Sequence, residues 1–242
     1  MRITLILLIA MLILILLNGC KNHQNDNVIR FGIDATNPPY NYMEDNEFKG
    51  FNVDLDMEIA KQLNKKAEFH VMSWASILPA LHNNKIDAVA TVTSTPEREK
   101  NISFSKQYTF DYIAAAFKKE NPIKSKSDIV GKRVGCVIGT NTEIFLKKNF
   151  NNNITIILSE SNSVSLKLLK ANHVDLIVLE KQSAALFSQK DKDLSYHVIE
   201  KNINGDSVAL KKDSPLIPEI NKALDNLERN GVIKKLENKW LR

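Results

Sequence analysis

From Val28 onward, short apolar runs of strand length alternate with stretches whose apolar residues recur at helical spacing. Val28–Ile33 reads as a first strand, delivering Asp34-Ala35-Thr36-Asn37-Pro38-Pro39-Tyr40 as a loop at its carboxyl end, where two prolines stiffen the chain ahead of Tyr40. Glu44 to Lys49 is a polar turn region closed by Gly50. A helix then runs from Phe51 to about Asn64, with Leu55, Ile59 and Leu63 on one face. Glu68 to Met72 is a second strand, followed by Trp74. A helix begins at Ser76 with Pro79 in its first turn, where a missing N–H is harmless, and Asn83-Asn84-Lys85 stops it. Ile86 to Val92 is a third strand. The order βαβαβ predicts a parallel sheet with covering helices.

Tyr108 to Phe117 is apolar and nearly unbroken, as a strand passing between two bodies would be. The scheme then restarts. Arg133 to Val137 is a strand, Gly139 to Thr142 a loop and Glu143 to Lys148 a helix; Ile154 to Leu158 is a strand, Ser163 to Lys170 a helix and Asp175 to Leu179 a strand. The halves echo each other: Arg30-Phe31-Gly32 matches Arg133-Val134-Gly135, and Leu81…Asn84-Lys85-Ile86-Asp87 matches Leu169…Asn172-His173-Val174-Asp175. In the same order within two βαβαβ runs, these matches predict two similar α/β lobes. Pro218, Ile220, Leu224 and Leu227 make one carboxyl-terminal helix, ended at Asn230-Gly231, and Ile233, Leu236 and Trp240 make another. Val208 to Leu210 returns the chain, so this tail is expected on the first lobe.

The densest chemistry lies at Thr91-Val92-Thr93-Ser94-Thr95-Pro96-Glu97-Arg98. A strand here ends in hydroxyls, turns at Pro96 and enters a helix with a guanidinium in its first turn. Hydroxyls, free N–H groups at a helix start and the fork of Arg98 together suit a carboxylate. The same residues also suit a plain helix cap with Arg98 in solvent.

Composition narrows the field. The chain has 242 residues, is 43% hydrophobic and 25% charged, and carries a formal charge of +5 from 33 Lys and Arg against 28 Asp and Glu. The basic residues are dispersed, which argues for a solvated surface and against a nucleic-acid stripe. Arg2 precedes an apolar run from Leu5 to Leu17, too short to span a bilayer but fitting the core of an export signal. Leu17-Asn18-Gly19-Cys20 looks like a lipobox, which makes Cys20 the lipidated first residue of the mature protein; an uncleaved anchor is the alternative. Either way the remainder lies outside the cytoplasmic membrane. With Cys20 acylated, Cys136 has no disulfide partner, and its apolar run marks it as a buried, inert thiol. The five His show no metal spacing, so no metal and no cofactor are expected.

Several segments in one order resemble the bacterial extracellular solute-binding proteins for polar amino acids (family 3), receptor subunits of ABC importers. They are Gly32-Ile33-Asp34-Ala35 with Pro38-Pro39-Tyr40, Gly50-Phe51-Asn52-Val53-Asp54-Leu55, Trp74…Leu78-Pro79-Ala80-Leu81, Lys85-Ile86-Asp87 and Thr95-Pro96-Glu97-Arg98, then Phe104-Ser105…Tyr108, Gly131 to Gly135, Gly139-Thr140, Asp175 and Gly231…Lys239-Trp240. The resemblance covers roughly Val28 to Arg242. It implies a two-lobed, type II periplasmic-binding-protein-like α/β fold: two parallel-rich sheets with covering helices, joined by two hinge strands. The expected division is a signal peptide over 1–19, a lipidated tether over 20–27, lobe 1 over 28–111, lobe 2 over 112–202 and a return to lobe 1 over 203–242.

The resemblance also implies a site. Arg98 would bind the α-carboxylate of a free amino acid, helped by Thr93 and by backbone groups near Ala90 and Thr91. Glu180 would pair with the α-ammonium, and Thr140, Asn141 and Thr142 would approach from the second lobe. Asp34 and Tyr40 would line the pocket, with Trp74 covering its apolar part. Asn37 stands where the family usually has an aromatic, and Glu180 where it usually has Asp. Each residue has a plainer reading: Asp34 as a turn cap, Trp74 as core, Glu180 as a helix-start acid. Asp34 and Trp74 lean toward a cationic side chain, arginine first, and the implied partners are that amino acid and a membrane permease, with the receptor a monomer. Two rival functions share the pattern: a cyclohexadienyl dehydratase-like enzyme with Glu180 as proton donor, and a sensory domain, which the absence of a spanning segment after Trp240 disfavours.

Overall fold

The computed structural model describes residues 27–201 and 205–241. The apolar leader, Cys20 and most of the tether lie outside the described residues. The first body contains β1 (Val28–Ile33), β2 (Thr36–Asn37), β3 (Asn41–Glu44), β4 (Glu47–Lys49), α1 (Phe51–Gln62), β5 (Lys66–Val71), α2 (Trp74–His82), β6 (Ala88–Thr93), the single turn α3 (Pro96–Glu99) and β7 (Ile102–Phe104). The second contains β8 (Tyr112–Lys118), β9 (Arg133–Val137), α4 (Asn141–Phe150), β10 (Thr155–Ser159), α5 (Asn162–Lys170), β11 (Leu176–Glu180), α6 (Lys181–Lys190) and β12 (Leu194–Lys201). The chain then returns through β13 (Asp206–Lys211), α7 (Ile217–Arg229) and α8 (Val232–Trp240).

One sheet has the order β5-β1-β6-β13-β7 and the other β10-β9-β11-β8-β12. In each, the three βαβαβ strands run parallel while β8, β12, β13 and β7 add antiparallel pairs. The period of two divides each sheet between two cores. Ile29, Phe31, Ala88, Val208 and Leu210 pack with α1, α7 and α8, whereas Val89 and Ala209 turn to the opposite face and meet Ile77 and Leu81 of α2, joined by Val92 beyond a register shift in the β6–β13 pairing. The second sheet repeats the plan, with Val134, Cys136 and Val178 against α4 and Ile177, Leu179 and Ala114 against α5 and α6. The tail therefore packs on the first lobe, as its amphipathic pattern requires.

The internal echo has a structural cause. Arg30 donates to Asp87 through its backbone N, Nε and Nη2 at 2.8, 3.0 and 2.6 Å, and Arg133 makes the same three bonds to Asp175 at 2.8, 3.4 and 2.6 Å. Each clip ties the start of the lobe's first strand to the residue that leads into its third.

The chain crosses between lobes twice, and the crossings are themselves paired: Asp206 N donates to Thr109 O at 2.8 Å, and Tyr108 N to Asp206 O at 3.0 Å. The regular crossing strand begins at Tyr112 and not at Tyr108, because Tyr108 to Asp111 are taken up by this junction. The region expected to be a turn at Glu44 to Lys49 is the tip of a hairpin whose Asp45 and Asn46 both have positive φ, the geometry that matches strand twist. β12 was not expected; its alternation is blurred by the bulge between Val198 and Glu200.

Candidate functional site

The carboxyl ends of the parallel strands in both sheets face one interlobe cavity, the place where open α/β sheets present their loops to ligands. β1 delivers Asp34 and Asn37, β6 delivers Thr93 and Arg98, the turn after β9 delivers Thr140 to Thr142, and β11 ends in Glu180; all line the cavity, with Tyr40 and Trp74. About 830 Å³ of non-atom space lies between these side chains, open solvent included.

Local sequence fixes each side chain. Thr95 is the N-cap of α3 and accepts from Arg98 N at 3.3 Å, so the capping reading of this stretch holds. It also aims Arg98 inward. The guanidinium donates to Thr93 O and, across the cleft, to Gly139 O, both at 2.8 Å. Burial lowers its pKa, and Asp206 opposes that shift. Thr93 Oγ1 donates to Asp206 Oδ1 and accepts from Asn141 Nδ2, each at 3.1 Å. Thr140 is the N-cap of α4, and its hydroxyl donates to Val137 O at 2.6 Å, so its main task is to shape the helix start that Thr142 shares. Gly50 starts α1 at φ 126°, and a Cβ there would run into the Tyr40 carbonyl; only glycine lets the Pro-Pro loop lie this close.

Four carboxyl groups share the cavity with Arg98. Glu180 is the N-cap residue of α6 but makes no side-chain cap, leaving its carboxylate in the cavity, where it accepts from Asn162 Nδ2 at 3.2 Å. Burial, then repulsion from Asp111 and Asp34, pushes it up to about 7. Asp206 is likewise pushed to about 7 by burial and by Asp111 and Glu180. Burial lifts Asp34 to about 6, against hydrogen bonds from Thr36. Asp111 is also raised by burial, and accepts from the Tyr40 hydroxyl. Such a cluster favours an added cation.

Asn37 closes the far side. Its Oδ1 accepts from Asn162 Nδ2 at 2.9 Å and Ser183 Oγ at 3.0 Å, joining the lobes where the family usually has an aromatic wall. Trp74 also reaches across: a Cβ at Gly139 would lie 3.7 Å from its Cδ1.

Ten of the twelve expected residues line the cavity, and Ala90 borders a smaller chamber behind it; the side chain of Thr91 lies outside what the structure describes. Asp206, Asp111, Asn162, Asn41 and Asn52 also line it without having been anticipated. Asp206 carried a usable signal, since a lone acid immediately precedes the apolar return strand. Asp111 and Asn162 carried none, because their positions depend on how the lobes meet.

The sequence profile described as bacterial extracellular solute-binding proteins, family 3, matches residues 29–242. The arginine-binding extracellular protein ArtP of Bacillus subtilis (strain 168) is 29% identical, over 99% of this chain and 98% of that protein. The L-cystine-binding protein TcyJ of Escherichia coli (strain K12) is 29% identical, over 93% of this chain and 85% of its own length. An ancestral arginine-binding protein bound to arginine superposes with a TM-score of 0.82 at 32% identity, over 89% of this chain and 99% of that one.

Proposed function

This chain belongs to the bacterial extracellular solute-binding proteins of family 3, and on that premise we propose that it is the lipid-anchored receptor of an ABC importer that encloses a free basic amino acid, arginine first. Lobe 1 is taken as 28–111 with 203–242 and lobe 2 as 112–202, closing about the paired crossings. The observation that carries the reading is the imbalance of the interlobe cavity, where Asp34, Asp111, Glu180 and Asp206 face one guanidinium. A basic amino acid supplies one carboxylate for Arg98 and two cationic groups for the acids. Two carbonyls leave three of the five N–H donors of Arg98 for an α-carboxylate. Glu180, on the opposite lobe, takes the α-ammonium, so ligand bridges both lobes only when they are closed. Asp34 and Trp74 face the side chain. Cys20 holds the lipid and 20–27 the tether, the receptor works as a monomer, and its partner is a membrane permease.

Titration calorimetry with arginine, lysine, histidine, glutamine and cystine tests the reading. Arginine is expected to bind, and Arg98→Ala to weaken it by about 3 kcal/mol or more, the scale of losing one partner of a buried charge pair. An affinity loss below about threefold, under 1 kcal/mol, would sink the clamp.

A second reading has one observation in its favour: Glu180, held near 7, is suited to proton donation in a dehydratase. Turnover of prephenate or arogenate by the purified protein would establish it. An ammonium partner accounts for the same carboxylate without a second catalytic group.

A further inference from the structure

Behind the main cavity lies a small chamber between α1, α2, the carboxyl end of β1 and the first half of β6. Asp34, Asn41, Asn52 and Trp74 line both spaces, so they form a shared mouth. Asp56 stands at the chamber's inner wall, one helical turn beyond Asn52 on the same face of α1. It is fully buried, at 0% exposure.

Neither carboxyl oxygen of Asp56 has a hydrogen-bond partner, and neither has Asp34 Oδ1. Asp34 Oδ2 does meet Thr36 Oγ1, at 3.5 Å, so its turn-capping part is done by one oxygen while the other is left over. Buried polar atoms are seldom left unsatisfied, and a carboxyl group with both oxygens bare inside a protein calls for an explanation. The remaining walls are apolar, from Ile77, Val89 and neighbouring backbone. Beside the amides of Asn41 and Asn52 and the indole of Trp74, the chamber offers two carboxyl groups and no cationic side chain to pair with them. It suits a cation.

We propose that this chamber is the socket for the cationic tip of the ligand's side chain, with Asp56 as its innermost acceptor and Asp34 at the mouth. The inference rests on the reading of the main cavity as an amino-acid site, and assigns the residue that makes that site prefer a cation. An ammonium, or one NH₂ of a guanidinium, enters past Asp34 while the aliphatic stem lies along Trp74, which can also face the cation. Asp56 carries the specificity because a cation gives its buried carboxyl group a charged partner with which to ionise, whereas a neutral amide offers none. Burial raises the Asp56 pKa well above the usual carboxylate range, so a cation in the socket is what favours its ionised form.

Calorimetric titration of the unmodified protein, Asp56→Asn and Asp56→Ala with arginine, lysine and glutamine tests this. The variants are expected to weaken the basic amino acids about tenfold or more and glutamine by no more than about threefold, the scale of one charge-assisted hydrogen bond. Equal losses for all three ligands, or no loss, overturn the proposal and leave Asp56 a neutral core acid. Equal losses together with a changed sodium dependence of the melting temperature overturn it in favour of an inorganic cation. A crystal structure of the unmodified protein with arginine decides the point without any variant: a head-group nitrogen within hydrogen-bond distance of Asp56 is expected, and a head group held by Asp34 alone overturns it. Binding of neutral amino acids only overturns the socket and keeps the receptor; binding of no amino acid overturns both.

Discussion

Replacing Glu180 by Gln is expected to make the ligand-free protein more stable at pH 8 while destroying its ability to bind. An ordinary Glu titrates near 4.5, and Glu180 is held at about 7. A raised acid pKa means that the folded state binds the proton more tightly than the unfolded chain. The protein then feels no penalty below about pH 4.5, a growing one as pH rises through the window, and the full penalty above 7. At 1.36 kcal/mol per unit of pKa, that penalty is about 3 kcal/mol. Part of it is shared with Asp111 and Asp34, which repel the same charge, so removing one member recovers about 1 to 3 kcal/mol. For a chain of this size that is a rise in melting temperature of about 3 to 10 °C. Gln can still accept from Asn162, which now bonds Glu180 Oε2. The assay is a pair of thermal melts, wild type and Glu180→Gln, at pH 5 and pH 8, each with and without arginine. The gain should appear at pH 8, shrink to about a quarter at pH 5, and reverse in the presence of arginine because only the wild type is stabilised by ligand. A variant less stable than wild type at pH 8, or a gain equal at both pH values, would refute the argument from buried charge.

Other outcomes follow from the same geometry. Across pH 5 to 8 the ligand-free wild type should lose stability, since Asp206 at about 7 and Asp34 at about 6 shift in the same direction as Glu180; saturating arginine should flatten that slope in a melting series, and an unchanged slope would contradict it. Asn37→Ala removes two interlobe hydrogen bonds and should weaken arginine binding by about 1 kcal/mol or somewhat more, with small-angle scattering showing a more open ligand-free form; unchanged affinity and dimensions would count against an interlobe latch. Cys136, 1% exposed and pushed by burial up to about 12, should resist a thiol reagent until denaturant is added, and rapid labelling of the native domain would show the second lobe's core to be misassigned.

Much of the lobe architecture was legible because it depends on local pattern. Val28–Ile33 and Arg133–Val137 fall where the apolar runs put them, and the repeated Arg-x-Gly and Asp signals mark the two ion-paired clips. Gly231, at φ 71°, ends α7 as its sequence announces. Arg98 was legible for the same reason, since its placement requires only a strand end, a cap and one helical turn. What escaped the sequence is what one lobe does to the other. Asn37 looked like a missing wall and is instead a bridge to Asn162 and Ser183, and Asp111 became a cavity acid only through Tyr40 and the crossing. Asp56 sits at a regular buried position of α1, so periodicity marks it as facing inward but says nothing of the bare oxygens it presents there.

A thermal-shift screen of residues 21–242, at pH 8, against the common amino acids, cystine and prephenate would test the central claim most directly. A ligand that binds only the folded state at a large excess over its Kd adds about 3 kcal/mol, so the true ligand should raise the melting temperature by about 6 to 12 °C. The account predicts that arginine stands out, with lysine or histidine next and glutamine behind. A shift with neutral amino acids or cystine alone would keep a receptor but contradict the cationic site, and a shift with prephenate and no amino acid would contradict the receptor itself.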